Sequence, residues 1–129
     1  MAKFWKLLAE CQSTSTSYVA AAGTNAPSPY NPQITSKLIG IRAIAGRTAA
    51  TTLMDQAQIK LTCSSFNLQS IEVIAIGSGL QTVPMAQPTF MDFDCDQPVS
   101  AGVGITIEQR MLLANAVTPE ILIMGLFQV

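Results

Sequence analysis

Hydrophobic and polar residues alternate along most of this chain with the two-residue period of β-strands. In 89–96, Met91, Phe93 and Cys95 fall on one side and Asp92, Asp94 and Asp96 on the other. In 57–64, Ile59, Leu61 and Cys63 oppose Lys60, Thr62 and Ser64, and in 70–76, Ile71, Val73 and Ala75 oppose Glu72. A strand over 37–45 sets Ile39, Ile41 and Ala43 against Arg42, and one beginning at Val103 sets Val103, Ile105 and Ile107 against Thr106 and Glu108. Turn residues punctuate these runs at Gly23–Pro32, Asn67, Gly77-Ser78-Gly79, Pro84 to Pro88, Pro98 to Gly104 and Asn115 to Pro119. With further extended stretches at 13–20, 48–52 and 80–83, the spacing predicts an all-β sandwich of about eight short antiparallel strands.

The last stretch breaks the alternation. Ile121, Ile123, Phe127 and Val129 share one face of an extended strand, and Leu122, Met124 and Leu126 share the other. Both faces are apolar, so both are expected to be covered. The odd-numbered face, with Phe127 and Val129, is expected to close the core, and the even-numbered face to lie under another chain or under the N-terminal segment.

That N-terminal segment carries a different period. Phe4, Leu7, Leu8 and Cys11 stand at the i, i+3, i+4 and i+7 positions of a helix, with Trp5 beside the stripe. The spacing predicts a short amphipathic helix, an N-terminal arm over residues 1–15 ahead of a sandwich domain over residues 16–129. About three turns are marginal alone, so the arm must dock. Protein is the favoured surface, and lipid the lesser alternative, because Lys3 and Lys6 make a weak membrane signal.

Composition adds a reason to expect partners. Charged residues are 12% of the 129, about half the usual share of roughly 25%, and hydrophobic residues are 49%. A monomer surface so poor in charge is expected to lie partly against protein. The expected subunit contacts are Phe4, Trp5, Leu7 and Leu8 on the arm and Leu122, Met124 and Leu126 on the last strand. A net charge of −1, with cations scattered from Lys3 to Arg110, offers no basic patch for nucleic acid. No stretch reaches the ~18 apolar residues of a spanning helix, and the start lacks a signal-peptide pattern, so synthesis in the cytoplasm is expected.

Candidate chemistry is sparse. The chain has no histidine, the commonest general base and metal ligand. Gly77-Ser78-Gly79 is not a nucleophile elbow, and Gly102-x-Gly104 lacks the third glycine of a dinucleotide site. Asp92, Asp94 and Asp96 have the spacing that opens a calcium loop, but Gln97 stands where that loop needs glycine and Val103 where it needs the closing glutamate. An acidic strand edge that discourages mispairing is the favoured reading. Cys11, Cys63 and Cys95 cannot all pair within one chain, which leaves free thiols or a Cys63–Cys95 bridge open. No cofactor is expected.

The order of short strands, the Pro98-Val99-Ser100-Ala101-Gly102 turn before Ile105-Thr106-Ile107-Glu108, and the Thr118-Pro119 lead into the last strand resemble small viral single jelly-roll capsid and virion-surface proteins. The resemblance spans roughly residues 16–129. It implies two facing four-stranded sheets, a last strand inside its sheet, and assembly into a shell. The chain is short for a main shell protein and lacks a basic arm, which favours a membrane-lined shell, a minor capsid protein or a decoration protein. The expected function is therefore a non-enzymatic structural subunit of a virion, a homo-oligomer in contact with other shell proteins, without direct nucleic-acid binding. The alternative is a lectin- or adhesin-like module in which the Gly23–Pro32 loop and the Asp92–Asp96 edge hold a ligand, with or without calcium.

Overall fold

The computed structural model describes residues 2–23, 25, 26, 28–47, 56–76, 89–112 and 119–129. Its eight strands are β1 (Lys3–Cys11), β2 (Val19–Ala20), β3 (Ser36–Arg47), β4 (Gln56–Thr62), β5 (Ser70–Ile76), β6 (Thr89–Val99), β7 (Thr106–Met111) and β8 (Pro119–Gln128). They form two antiparallel sheets of four, in the orders β1-β8-β3-β6 and β2-β7-β4-β5. The pairs β1·β8, β2·β7, β3·β6 and β4·β5 are those of one long hairpin, rolled up so that β8 also meets β3 and β7 also meets β4. This is a jelly roll. The last strand lies inside its sheet, between β1 and β3.

Alternation explains most of the burial. Ala57, Ile59 and Leu61 on β4, Ile107, Gln109 and Met111 on β7, and Ile121, Ile123 and Phe127 on β8 all point between the sheets and are buried. Gln109 is the polar member, and its amide is fully used: Oε1 accepts from Ser13 N (3.0 Å) and Nε2 donates to Ser13 O (2.8 Å). A buried amide satisfied this way costs little and clamps the segment after β1 onto the second sheet. Phe127 stacks between Phe4 (centroids 5.6 Å apart) and Tyr30 (6.0 Å) at one end of the sandwich.

Four sequence expectations are corrected. Residues 3–11 are an edge strand, not a helix or arm, so they belong to the sandwich itself. A β-bulge at Leu8, between the pairs Leu7↔Met124 and Ala9↔Ile123, reverses which parity faces inward. Phe4 faces in before it and Cys11 after it, each paired with an inward residue of β8, and that parity switch imitates a helical stripe. The same device sits between Leu38 and Gly40: Leu38, Ile41, Ala43 and Ala45 are buried, and Ile39 is displaced from the inward row. Pro98 lies in β6 rather than in a turn, opposite Lys37. It is tolerated because β6 is the edge of its sheet. Val129 follows the end of β8 and is 51% exposed, so Phe127 closes the core without it. The expected strands at 48–52 and 80–83, the Gly77–Gly79 turn, the Pro84–Pro88 loop and the loop from Asn115 to Thr118 lie outside the described residues.

Candidate functional site

Because β8 runs between two neighbours, its outward side chains stand beside the outward side chains of both. On one flank Trp5 is opposite Leu126 and Leu7 opposite Met124; on the other Arg42 is opposite Met124 and Ile44 opposite Leu122. Trp5, Leu7, Ile44, Leu122, Met124 and Leu126 therefore form one continuous apolar area on the outer face of the first sheet, each partly open to solvent. Trp5, at 38%, is the most exposed large side chain in it.

The charge at its centre is neutralised locally. The Arg42 guanidinium lies 4.5 Å from the Trp5 ring centroid. Its Nε and Nη2 donate to Asp92 Oδ1 and Oδ2 at 2.7 and 3.0 Å, and these hydrogen bonds hold the Asp92 carboxyl below its ordinary value. A surface laid over this area would cover a matched pair rather than an isolated cation.

The expected contact residues divide. Trp5, Leu7, Leu122, Met124 and Leu126 lie on the outer face. Leu8 is 1% exposed within the protein's own core, and Phe4 turns inward onto Phe127. Docking of a helical arm on lipid falls away, because the segment is a strand. No helix among the described residues is long and apolar enough to cross a membrane.

The acidic row is a strand edge. Asp92 is taken by Arg42, Asp96 lies 3.8 Å from Lys37 Nζ with both side chains well exposed, and Asp94 stands at the Gly40 register. Among the described residues no group of three acidic, cysteine or histidine side chains could hold a metal ion. Of the loop expected to hold a ligand, Gly23 and Ala26 lie beside β1, where Gly23 N donates to Glu10 O (3.0 Å) and Glu10 N donates to Ala26 O (2.8 Å), while Tyr30 and Pro32 bond to Ile105 and Gly102. Gly23 packs so closely that a Cβ there would come within 2.5 Å of the Glu10 side chain.

The covered Glu10 has a neighbour. Asn25 Nδ2 donates to its Oε2 at 3.0 Å. Burial raises the Glu120 carboxyl above its ordinary value; Glu10 adds to the rise through a hydrogen bond and its charge, and a hydrogen bond from Gln12 opposes it. All three cysteines are free thiols, which closes the question of a Cys63–Cys95 bridge. Burial, reinforced by Glu120 and Glu10, pushes Cys11 up to about 12; burial, with Asp94 and Asp96, pushes Cys95 up to about 11. Neither is poised as a nucleophile.

The second sheet presents a contrasting outer face, which residue patterns did not reveal. Tyr18 lies between Lys60 (4.5 Å from the ring centroid) and Arg110 (4.9 Å), and its hydroxyl donates to Glu72 Oε1 at 3.1 Å. Lys60 reaches Glu108 at 4.0 Å, and Arg110 Nε donates to Gln58 Oε1 at 2.9 Å. The only advance signal was the charge alternation at Lys60, Glu72 and Glu108, whose cross-strand pairing needs the register.

Two solved structures are distantly similar to this chain. Eiger TNF from S. frugiperda is similar with a TM-score of 0.40 and 9% identity, over 96% of this chain and 94% of that one. Infectious bursal disease virus, Gx strain, is similar with a TM-score of 0.39 and 12% identity, over 98% of this chain and 32% of that one. This chain thus spans about a third of the viral one. No protein-family model and no curated protein sequence matches.

Proposed function

We propose that this protein is a non-enzymatic structural subunit that assembles with copies of itself through the outer face of the β1-β8-β3-β6 sheet, in the role of a capsid or virion-surface protein that also meets other shell proteins. The jelly-roll order agrees with that role and with several others, so the fold alone does not select it. The observation that carries the reading is the apolar area built by Trp5, Leu7, Ile44, Leu122, Met124 and Leu126 around a neutralised Arg42–Asp92 pair.

A second copy suits this face in size and chemistry. The three strands that carry it, spaced about 4.8 Å apart with ten residues rising about 3.4 Å each, offer roughly 500 Å². That approaches the lower end of what each partner of a standard interface buries, about 600–1,000 Å². Apolar contact at about 25 cal/mol per Å² supplies the drive, reduced by the cost of association. The charged face of the second sheet, with Tyr18, Lys60, Glu72, Glu108 and Arg110 already joined to one another, is left to water.

The test is Leu122→Ser with Leu126→Ser. Sedimentation velocity and electron microscopy should show assemblies for the parent protein and folded monomers for the variant, with unchanged far-ultraviolet circular dichroism. A parent that stays monomeric at high concentration, or a variant that assembles as the parent does, would sink the proposal.

A further inference from the structure

At the end of the sandwich where Phe4, Phe127 and Tyr30 stack, the rings form the floor of a cleft of about 370 Å³. Tyr30 is carried there by its antiparallel bridge to Ile105, with Tyr30 N donating to Ile105 O at 2.9 Å, so the ring joins the two sheets. Pro32, Ile34, Ser36 and Lys6 also line it. Lys6 pairs with Gly125 on β8, one pair along the edge strand's inward row from Phe4 and Phe127.

Lys6 is the one charged residue of this cleft, beside the neutral polar Asn31, Gln33 and Ser36. The lining thus includes the Lys6 ammonium and no carboxylate, in a chain whose net charge is −1. Lys6 makes no ion pair, and the Tyr30 hydroxyl no hydrogen bond, among the described residues. The Tyr30 hydroxyl, like any phenol at neutral pH, is protonated and can donate. Stacked rings favour a flat apolar body, and unspent donors favour an anion. The volume is at the small end of ligand pockets, about 300–1,000 Å³, and fits one or two rings better than a long chain.

We propose that this cleft binds a small aromatic carboxylate, its rings against the partly exposed Phe4 and Tyr30, which Phe127 backs from the core, and its carboxylate on Lys6. The site is separate from the assembly face, because Phe4 and Phe127 point inward and Leu122 and Leu126 outward. Binding there would tie β1, β8 and the Tyr30 segment together at the open end of the roll.

Equilibrium dialysis, which reads binding in any state of assembly, tests the site with 2-naphthoate and its uncharged counterpart 2-naphthalenemethanol. Naphthoate should half-saturate the protein at about 1 mM or below, from the efficiency of small ligands. Lys6→Met, at an exposed position, should weaken naphthoate about two- to fivefold, the worth of a solvent-exposed charge contact, and leave the alcohol unchanged. Ile34→Glu, at a rim residue that is 48% exposed, should weaken naphthoate again and spare the alcohol. Equal affinity for the two compounds, or naphthoate binding that neither substitution alters, would overturn the proposal, as would the absence of saturable binding.

Discussion

Phe127→Ala removes the ring on which one end of the sandwich is built. The ring is 1% exposed and stacks on Phe4 and Tyr30 at centroid distances of 5.6 and 6.0 Å. Its Cε2 also occupies the space beside Gly125, where an added Cβ would lie 3.0 Å from it. Truncation thus leaves a hole whose neighbour on the strand has no side chain to fill it. Phe→Ala in a core costs about 3–5 kcal/mol, more where the site cannot collapse, so the upper half of that range is expected. Against a total of about 5–15 kcal/mol for such a domain, the variant should fold marginally. With a urea dependence of about 2 kcal/mol per molar, the unfolding midpoint followed by circular dichroism should fall by about 2 M. Leu126→Ala, one residue away on the outer face, should cost no more than about 1 kcal/mol. A Phe127→Ala midpoint within about 0.5 M of the parent, at unchanged slope, would refute the reasoning, since the ring would then not be enclosed.

Glu120 should make stability fall as pH rises. Its carboxyl titrates higher in the folded protein than the ordinary 4.5, so its contribution is complete below that value and is lost as pH climbs through the raised folded one. Asp92 works in the opposite sense, contributing above its ordinary 3.8 and losing the contribution as pH falls through its lowered folded value. Glu120→Gln leaves Asp92 in place, so the difference between parent and variant urea midpoints from pH 4 to 8 reports Glu120 together with its hydrogen-bonded neighbour Glu10: the variant should gain on the parent with pH, and parallel curves would contradict this. The thiols should be slow: at pH 8, alkylation of Cys95 followed by peptide mass spectrometry should run roughly a hundredfold below a free cysteine, and Cys11 should react only on unfolding. Rapid labelling of native Cys11 would show that it is not buried as described.

Where strands are regular, their burial was readable from residue type alone. Ile59 and Leu61 on β4 and the Met91, Phe93 and Cys95 row on β6 face the core as their alternation requires. The inward face of β8 was readable for the same reason, since Ile121, Ile123 and Phe127 are buried, whereas Leu122, Met124 and Leu126 on its other face are partly open to solvent. The failures at residues 3–11 and at Ile39 share one cause, a single inserted residue that moves the following side chains to the other face. Period analysis assumes constant phase, and a bulge is a phase jump. Trp5 on Arg42, Tyr18 between Lys60 and Arg110, and the ring stack over the cleft join residues far apart in the chain. Such contacts depend on which strands become neighbours, and local pattern does not encode that.

The rolled hairpin also sets a timetable. Lys3 pairs with Gln128 and Cys11 with Ile121, so the first strand has no neighbour in its own sheet until the last one arrives. Closing such distant pairs is slow, and a partial roll exposes apolar surface while it waits. Insertion of β8 is also what brings Leu122, Met124 and Leu126 between Trp5 and Leu7 on one side and Ile44 on the other. The proposed docking face therefore does not exist on an incomplete chain. On the proposed mode of assembly, folding acts as its own checkpoint, because only a finished molecule has the surface that another copy would meet.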